Sequence, residues 1–121
     1  MKKLLGIIVL GLLLSEVSYS DECISGNCVN GKGILDLIPG GMYTGEFKNG
    51  KFHGKGIFVN DEITYRGGFK NDKRNGSGTQ TWSDGATYTG EWVNDKKEGF
   101  GVLKTSKGKI EGIWKNDLPV K

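Results

Sequence analysis

Few residues of this chain are of types that do chemistry. Cys23 and Cys28 are its only cysteines, spaced C-x4-C. A dithiol redox motif takes two intervening residues and a structural metal site takes four ligands, and neither pattern is met. In an oxidising compartment the default is a disulfide closing a short loop, with free thiols the other reading. Such a loop stabilises by about 2 kcal/mol in the chain-entropy account. His53 is the only histidine, with no Ser or Cys at a telling distance, so it reads as a solvated turn residue rather than a general base. Glu46 and Glu91 could suggest a paired-carboxylate site. They recur at one position of a repeat, however, and that marks polar-face strand residues pairing with Lys or Arg. No glycine pair opens a helix, so no phosphate cradle is present. The expectation is a protein with no catalytic set, no metal and no cofactor.

The elements that must position these residues are repeats. Tyr43, Tyr65, Tyr88 and Ile110 are spaced 22, 23 and 22 apart, and Phe47, Phe69, Trp92 and Trp114 keep the same spacing. Asn49, Asn71, Asn94 and Asn116 follow the same period. Within each copy Tyr, Gly and an aromatic alternate with polar residues, as in Tyr43, Gly45 and Phe47 against Thr44, Glu46 and Lys48. That period of two predicts a strand with two unlike faces. Asn49-Gly50, Asn71-Asp72 and Asn94-Asp95 are turn pairs, after which a Gly-x-Gly strand returns. The packing set is thus Tyr43, Gly45, Phe47, Gly54 and Gly56; Tyr65, Gly67, Phe69, Gly76 and Gly78; Tyr88, Gly90, Trp92, Gly99 and Gly101; and Gly112 with Trp114.

Glycine weakens a strand interior, so its recurrence needs a reason. Glycines sharing a face with aromatics leave a trench in which the rings lie, each burying about 150–250 Å². A two-residue turn would set Tyr43 against Gly56 and Gly45 against Gly54. A four-residue loop would set Gly45 against Gly56 and Phe47 against Gly54. Gly56 to Tyr65 is nine residues and Gly78 to Tyr88 is ten, so a bulge near Ser83-Asp84-Gly85 is expected to keep the faces in phase. The predicted architecture is all-β, a single-layer, elongated antiparallel meander of about seven strands in which each hairpin touches only its neighbours.

All first turns of the repeats fall along one edge of such a sheet. They carry Lys48, Lys51, Lys70, Lys73, Arg74, Lys96, Lys97 and Lys115 against Asp72, Asp95, Glu98 and Asp117, a net +4. The opposite turns are net −1. This basic row is a solubilising edge or a docking surface for an anionic membrane or polymer.

Residues 1–20 read as a cleavable signal peptide: Lys2 and Lys3, an apolar run Leu4–Leu14, and Ser18-Tyr19-Ser20 before the cut. The run is short for a bilayer span, which takes about 20 apolar residues. Cleavage after Ser20 would place the mature chain in the periplasm or outside the cell and lower the net charge from +3 to +2. Residues 21–42 then form a degenerate first copy, with the Cys23–Cys28 loop standing as a cap where an aromatic strand is missing. Residues 43–117 form the array and 118–121 a tail.

The pattern Tyr-x-Gly-Glu-Trp/Phe-x-Asn, then Gly-x-Gly, resembles the MORN (membrane occupation and recognition nexus) repeat. Tyr88 to Gly101 matches almost fully, and Tyr43 to Gly56 matches with Phe47 for Trp. Tyr65 to Gly78 departs at Gly68, where Glu is usual; the last partial copy has Ile110 and Ile113 in place of Tyr and Glu. The resemblance implies a β-hairpin array and a scaffold, dimerising or lipid-binding context rather than a reaction. A protein partner or self-association is expected, with the Ile110 to Trp114 edge and the Leu118-Pro119-Val120 tail as contacts. Anionic membrane binding is the second expectation. A glycan or choline module would need exposed aromatic cages, and nucleic acid is not an expected partner because the aromatics are used inside the sheet.

Overall fold

A computed structural model describes residues 21–38 and 40–121, so the predicted signal peptide lies outside the described residues. Ten strands follow one another in space in chain order as one antiparallel sheet. They are β1 (Glu22–Gly26), β2 (Gly31–Asp36), β3 (Met42–Lys48), β4 (Lys51–Val59), β5 (Ile63–Lys70), β6 (Lys73–Trp82), β7 (Thr87–Val93), β8 (Lys96–Thr105), β9 (Gly108–Lys115) and β10 (Leu118–Pro119). The meander is as expected, but it has ten strands rather than about seven. The extra strands come from the ends. The Cys23–Cys28 loop belongs to a hairpin, β1–β2, and the tail folds back as β10.

The first turn of each repeat is tight. Asn71-Asp72, Asn94-Asp95 and Asn116-Asp117 all have positive φ at both residues, as do Asn49 and Gly50. Two positive φ values define the type I′ turn, whose twist suits a hairpin and which Asn, Asp and Gly tolerate best. Three residues later the ladder breaks. Gly45 pairs with Gly56 and Phe47 with Phe52, so 53–55 stand opposite Glu46 alone. The same break recurs between Gly67 and Phe69 and between Gly90 and Trp92. The two registers considered from the turn are therefore both half right: the turn has two residues, and a wide bulge restores the Gly45–Gly56 pair.

No bulge occurs at Ser83-Asp84-Gly85. The β6–β7 ladder is unbroken from Gly76–Trp92 to Thr81–Thr87. The extra residue is taken up in the connection, where Gly85 adopts φ 95° and its N–H donates to Trp82 O at 2.9 Å. A longer loop costs little, whereas a slipped ladder would turn every later side chain to the wrong face.

The core is one line of rings on one face. Tyr43, Tyr65 and Tyr88 are fully buried, with Phe47, Phe69, Trp92 and Trp114 close behind. Each tyrosine meets two rings edge-on: its own repeat's aromatic and the next repeat's. Tyr65 lies 5.0 Å from Phe69 and 5.5 Å from Trp92, and Tyr88 lies 5.1 Å from Trp92 and 5.4 Å from Trp114. Edge-to-face contact suits ring quadrupoles and adds to the burial itself. The trench is real: a Cβ on Gly56 or Gly101 would run into the hydroxyl of Tyr43 or Tyr88. Each hydroxyl donates to the carbonyl three residues on, Tyr43 to Glu46 at 2.8 Å and Tyr88 to Glu91 at 3.1 Å.

Candidate functional site

The turn edge, the aromatic face and the open face each take some of the sequence-predicted residues. On the turn edge Lys48, Lys51, Lys70, Lys73, Lys96 and Lys115 are exposed and in a row. Arg74 and Lys97 leave that row. Each is the second residue of its repeat's second strand and turns inward over the rings. Arg74 lies 4.4 Å above Trp92, donates from Nε to Asp95 Oδ1 at 3.0 Å, and reaches Gln80 Oε1 at 2.6 Å. Lys97 Nζ sits 5.6–5.8 Å from the rings of Trp82, Tyr88, Trp92 and Trp114, with Asp117 at 3.8 Å. In the first copy the same place is held by Phe52, stacked on Tyr43 at 3.8 Å. Counting Arg74 and Lys97 as edge charges is thus corrected: they cap the aromatic line, because a long alkyl stem covers a ring while its cation faces the ring's negative surface. Burial holds the Lys97 pKa below its ordinary value, and Asp117 partly offsets that.

The turn aspartates also have a role other than charge. Asp72, Asp95 and Asp117 each accept, at Oδ1, the backbone N–H of the second residue of the previous repeat's second strand: Phe52, Arg74 and Lys97. Their own N–H groups donate to the carbonyls of those same residues. Each turn is therefore stapled to the hairpin before it.

Glu46 and Glu91 do not pair with Lys or Arg. Glu46 Oε2 accepts the Lys55 amide at 3.0 Å, and Glu91 Oε2 accepts the Ser77 hydroxyl at 2.9 Å. Glu46 bridges the amide freed by the bulge, and the pairing expectation missed it because the bulge was not foreseen. His53 is half-buried within the first bulge. Cys23 and Cys28 are joined in a disulfide, and Cys28 packs against the N-terminal end of the core. Trp114 is not a free contact residue: it is buried, and its indole N–H donates to Gly101 O at 3.1 Å. The β9 edge it lies on is covered from Ile113 onward, because Lys115 and Trp114 pair with β10 and the Val120 N–H donates to Ile113 O.

The opposite face is unlike the first. A groove of about 820 Å³ crosses β2 to β6, lined by Lys32, Thr44, Lys55, Ile57, Arg66 and Ser77 around glycine backbone. Farther along the same face Phe100 and Ile113 pair across β8–β9 and are both half-exposed. Neither feature was anticipated; the alternation that marks the aromatic face also marks the residues facing away, which is the signal that would have found them. Among the described residues, no cluster of His, Cys, Asp and Glu is arranged to hold a metal, and no helix is long and apolar enough to cross a membrane.

A single-layer β-hairpin array whose rings lie on paired glycines defines a class of structural repeat. The sequence model of the MORN repeat family matches residues 43–60, 65–87 and 88–110, more than half of the chain, and the chain belongs to that family. Its repeats are in general interaction modules for proteins and lipids and are not in general catalytic. No curated protein matches the chain.

Proposed function

We propose that this protein is a non-enzymatic interaction module of the cell envelope that binds a protein partner or a second copy of itself. The observation that carries the reading is the asymmetry of the sheet. One face is closed by its own rings, while the groove face and the end strands offer backbone and side chains to a partner. The stretch 108–112 of β9 is the part of that edge to which a further strand could add. Sedimentation at high concentration tests the self-association arm: a concentration-dependent dimer supports it, and a strict monomer removes it in favour of a separate partner.

The export reading rests on Lys2, Lys3 and the Leu4–Leu14 run, and the Cys23–Cys28 pair agrees with an oxidising compartment. Mass spectrometry of the protein from envelope fractions should find Asp21 as the first residue; an intact Met1 in an anchored protein would overturn it.

A second reading, docking to anionic lipid or envelope polymer, is favoured by the six exposed lysines of the turn edge. Each could add about 1 kcal/mol near an anionic bilayer, weakened by salt. Reversing Lys51, Lys73 and Lys96 to Glu should abolish cosedimentation with phosphatidylglycerol vesicles at low salt. Unchanged binding would sink this reading.

A further inference from the structure

The second repeat differs from its neighbours at one place on the groove face. In the first repeat the Glu46 carboxylate seats against Gly54, where an added Cβ would lie 2.8 Å from Oε1. In the third, the Cβ and Cγ of Glu91 cover Gly99 at 3.4 Å from the same construction, while its carboxylate turns to Ser77. In the second the corresponding residue is Gly68, and an added Cβ on the corresponding glycine, Gly76, would have nothing within 4 Å. The seat is there without its carboxylate. The amide that Glu46 satisfies is that of Lys55; the amide nine residues after Gly68 is that of Ser77. A side chain on residue 68 cannot fill the seat, since its Cβ would collide with the Asn75 carbonyl oxygen.

The surroundings are cationic. Lys55 stands directly across from Gly68, and Arg66 lies two residues along the same strand and face. Lys32 lines the same groove. All three are exposed, and among the described residues none has a carboxylate within 4.0 Å. Of the two carboxylates beside the groove, Glu46 is turned to the backbone and Glu91 is held by the Ser77 hydroxyl at its rim.

We propose that this seat takes its carboxylate in trans, from an acidic segment of a partner protein laid across the groove. One Asp or Glu side chain enters between Gly68 and Gly76, and flanking acids meet Lys55, Arg66 and Lys32. A carboxylate accepts both an amide N–H and a guanidinium fork, which makes a short acidic peptide a better match than a uniformly charged surface. The inference rests on the protein-binding reading and names its site.

The test is fluorescence anisotropy of labelled hexaglutamate titrated with the full chain at low salt, with hexaglutamine and phosphatidylglycerol vesicles in parallel. Two double variants are compared, K55Q/R66Q in the groove and K51Q/K73Q on the turn edge. All four positions are exposed, and near-ultraviolet circular dichroism verifies folding. The expected result is hexaglutamate binding that K55Q/R66Q weakens about tenfold, that K51Q/K73Q leaves unchanged, and that hexaglutamine does not reproduce. No binding, equal loss in both variants, or vesicle binding in place of peptide binding overturns the proposal. If a defined partner or a dimer still forms in K55Q/R66Q, the groove assignment fails while the protein-binding reading stands.

Discussion

The aromatic face and the groove face are made by the same strands, one residue out of phase. On the first, Tyr, Trp and Phe interlock along the whole array, and even its cations, Arg74 and Lys97, are committed to ring surfaces. On the second, Thr79 and Thr89 share a hydrogen bond at 3.2 Å and Phe100 is half-exposed. Stability and recognition are thereby separated: one face holds the array together and leaves the other free to carry unpaired charge and exposed apolar groups. Mutations on the two faces should differ accordingly.

The largest contrast is Trp92→Ala against Phe100→Ala. The first removes a buried ring between two tyrosines and should cost about 3–5 kcal/mol, enough to lower the melting temperature steeply or unfold the chain. The second should stay within about 0.5 kcal/mol. Equal costs by thermal denaturation would break the comparison. Alkali offers a second contrast, since the three core tyrosines lie on one face only. Burial raises the Tyr65 pKa from 10.0 to about 12, and burial raises those of Tyr43 and Tyr88 as well. A phenol whose folded pKa is raised stabilises fully below pH 10 and loses that contribution as the pH rises towards 12 and beyond. Lys97, lowered by burial, works in the opposite direction but is one group against three. Phenolate absorbance and circular dichroism should therefore change together above pH 10; ionisation of the tyrosines with the sheet intact would argue that the ring line is open to water.

Gly101→Ala drives a Cβ into the Tyr88 hydroxyl and should cost about 1–3 kcal/mol, read by denaturant unfolding. Asp95→Ala removes the acceptor for the Arg74 amide and the partner of its guanidinium, and it places Ala at φ 70°. About 1–2 kcal/mol is expected, with Asp95→Asn milder because Oδ1 and the turn preference are kept. Thr89→Ala on the groove face is the smallest change, and a measurable stability loss there would show that the second face is structural after all.

Much of this is legible in the residues themselves, and each difference has its own physical cause. Tyr43, Tyr65 and Tyr88 at a fixed period, alternating with glycine, specify strand, face and neighbour, because period two and the size of a ring leave few solutions. The role of Glu46 depends on the bulge of 53–55 opposite it, which has no composition of its own. Without the bulge Glu46 looks like a surface partner for lysine; with it the glutamate faces an amide. Arg74 and Lys97 look like edge charges until the turn is known to have two residues, which pairs them with Phe69 and Trp92 on the ring face. The β1–β2 hairpin was hidden for another reason: with Cys23 and Ser25 in place of aromatics, β1 lacks the repeat's rings and is held by backbone pairing and the Cys23–Cys28 disulfide. Gly68 was noticed as a departure, but its meaning lay in the empty space at Gly76, which only coordinates supply.

The staples made by Asp72, Asp95 and Asp117 have a mechanical consequence. Every hairpin is tied to the one before it and to nothing farther away, so a pull on the two ends loads the ties in series. The array should yield like a chain of clasps, one repeat at a time from the weaker end, each event releasing the 22 or 23 residues of one copy and about 70–80 Å of chain at 3.3–3.6 Å per residue. Such a strip should absorb extension in steps, each the length of one repeat.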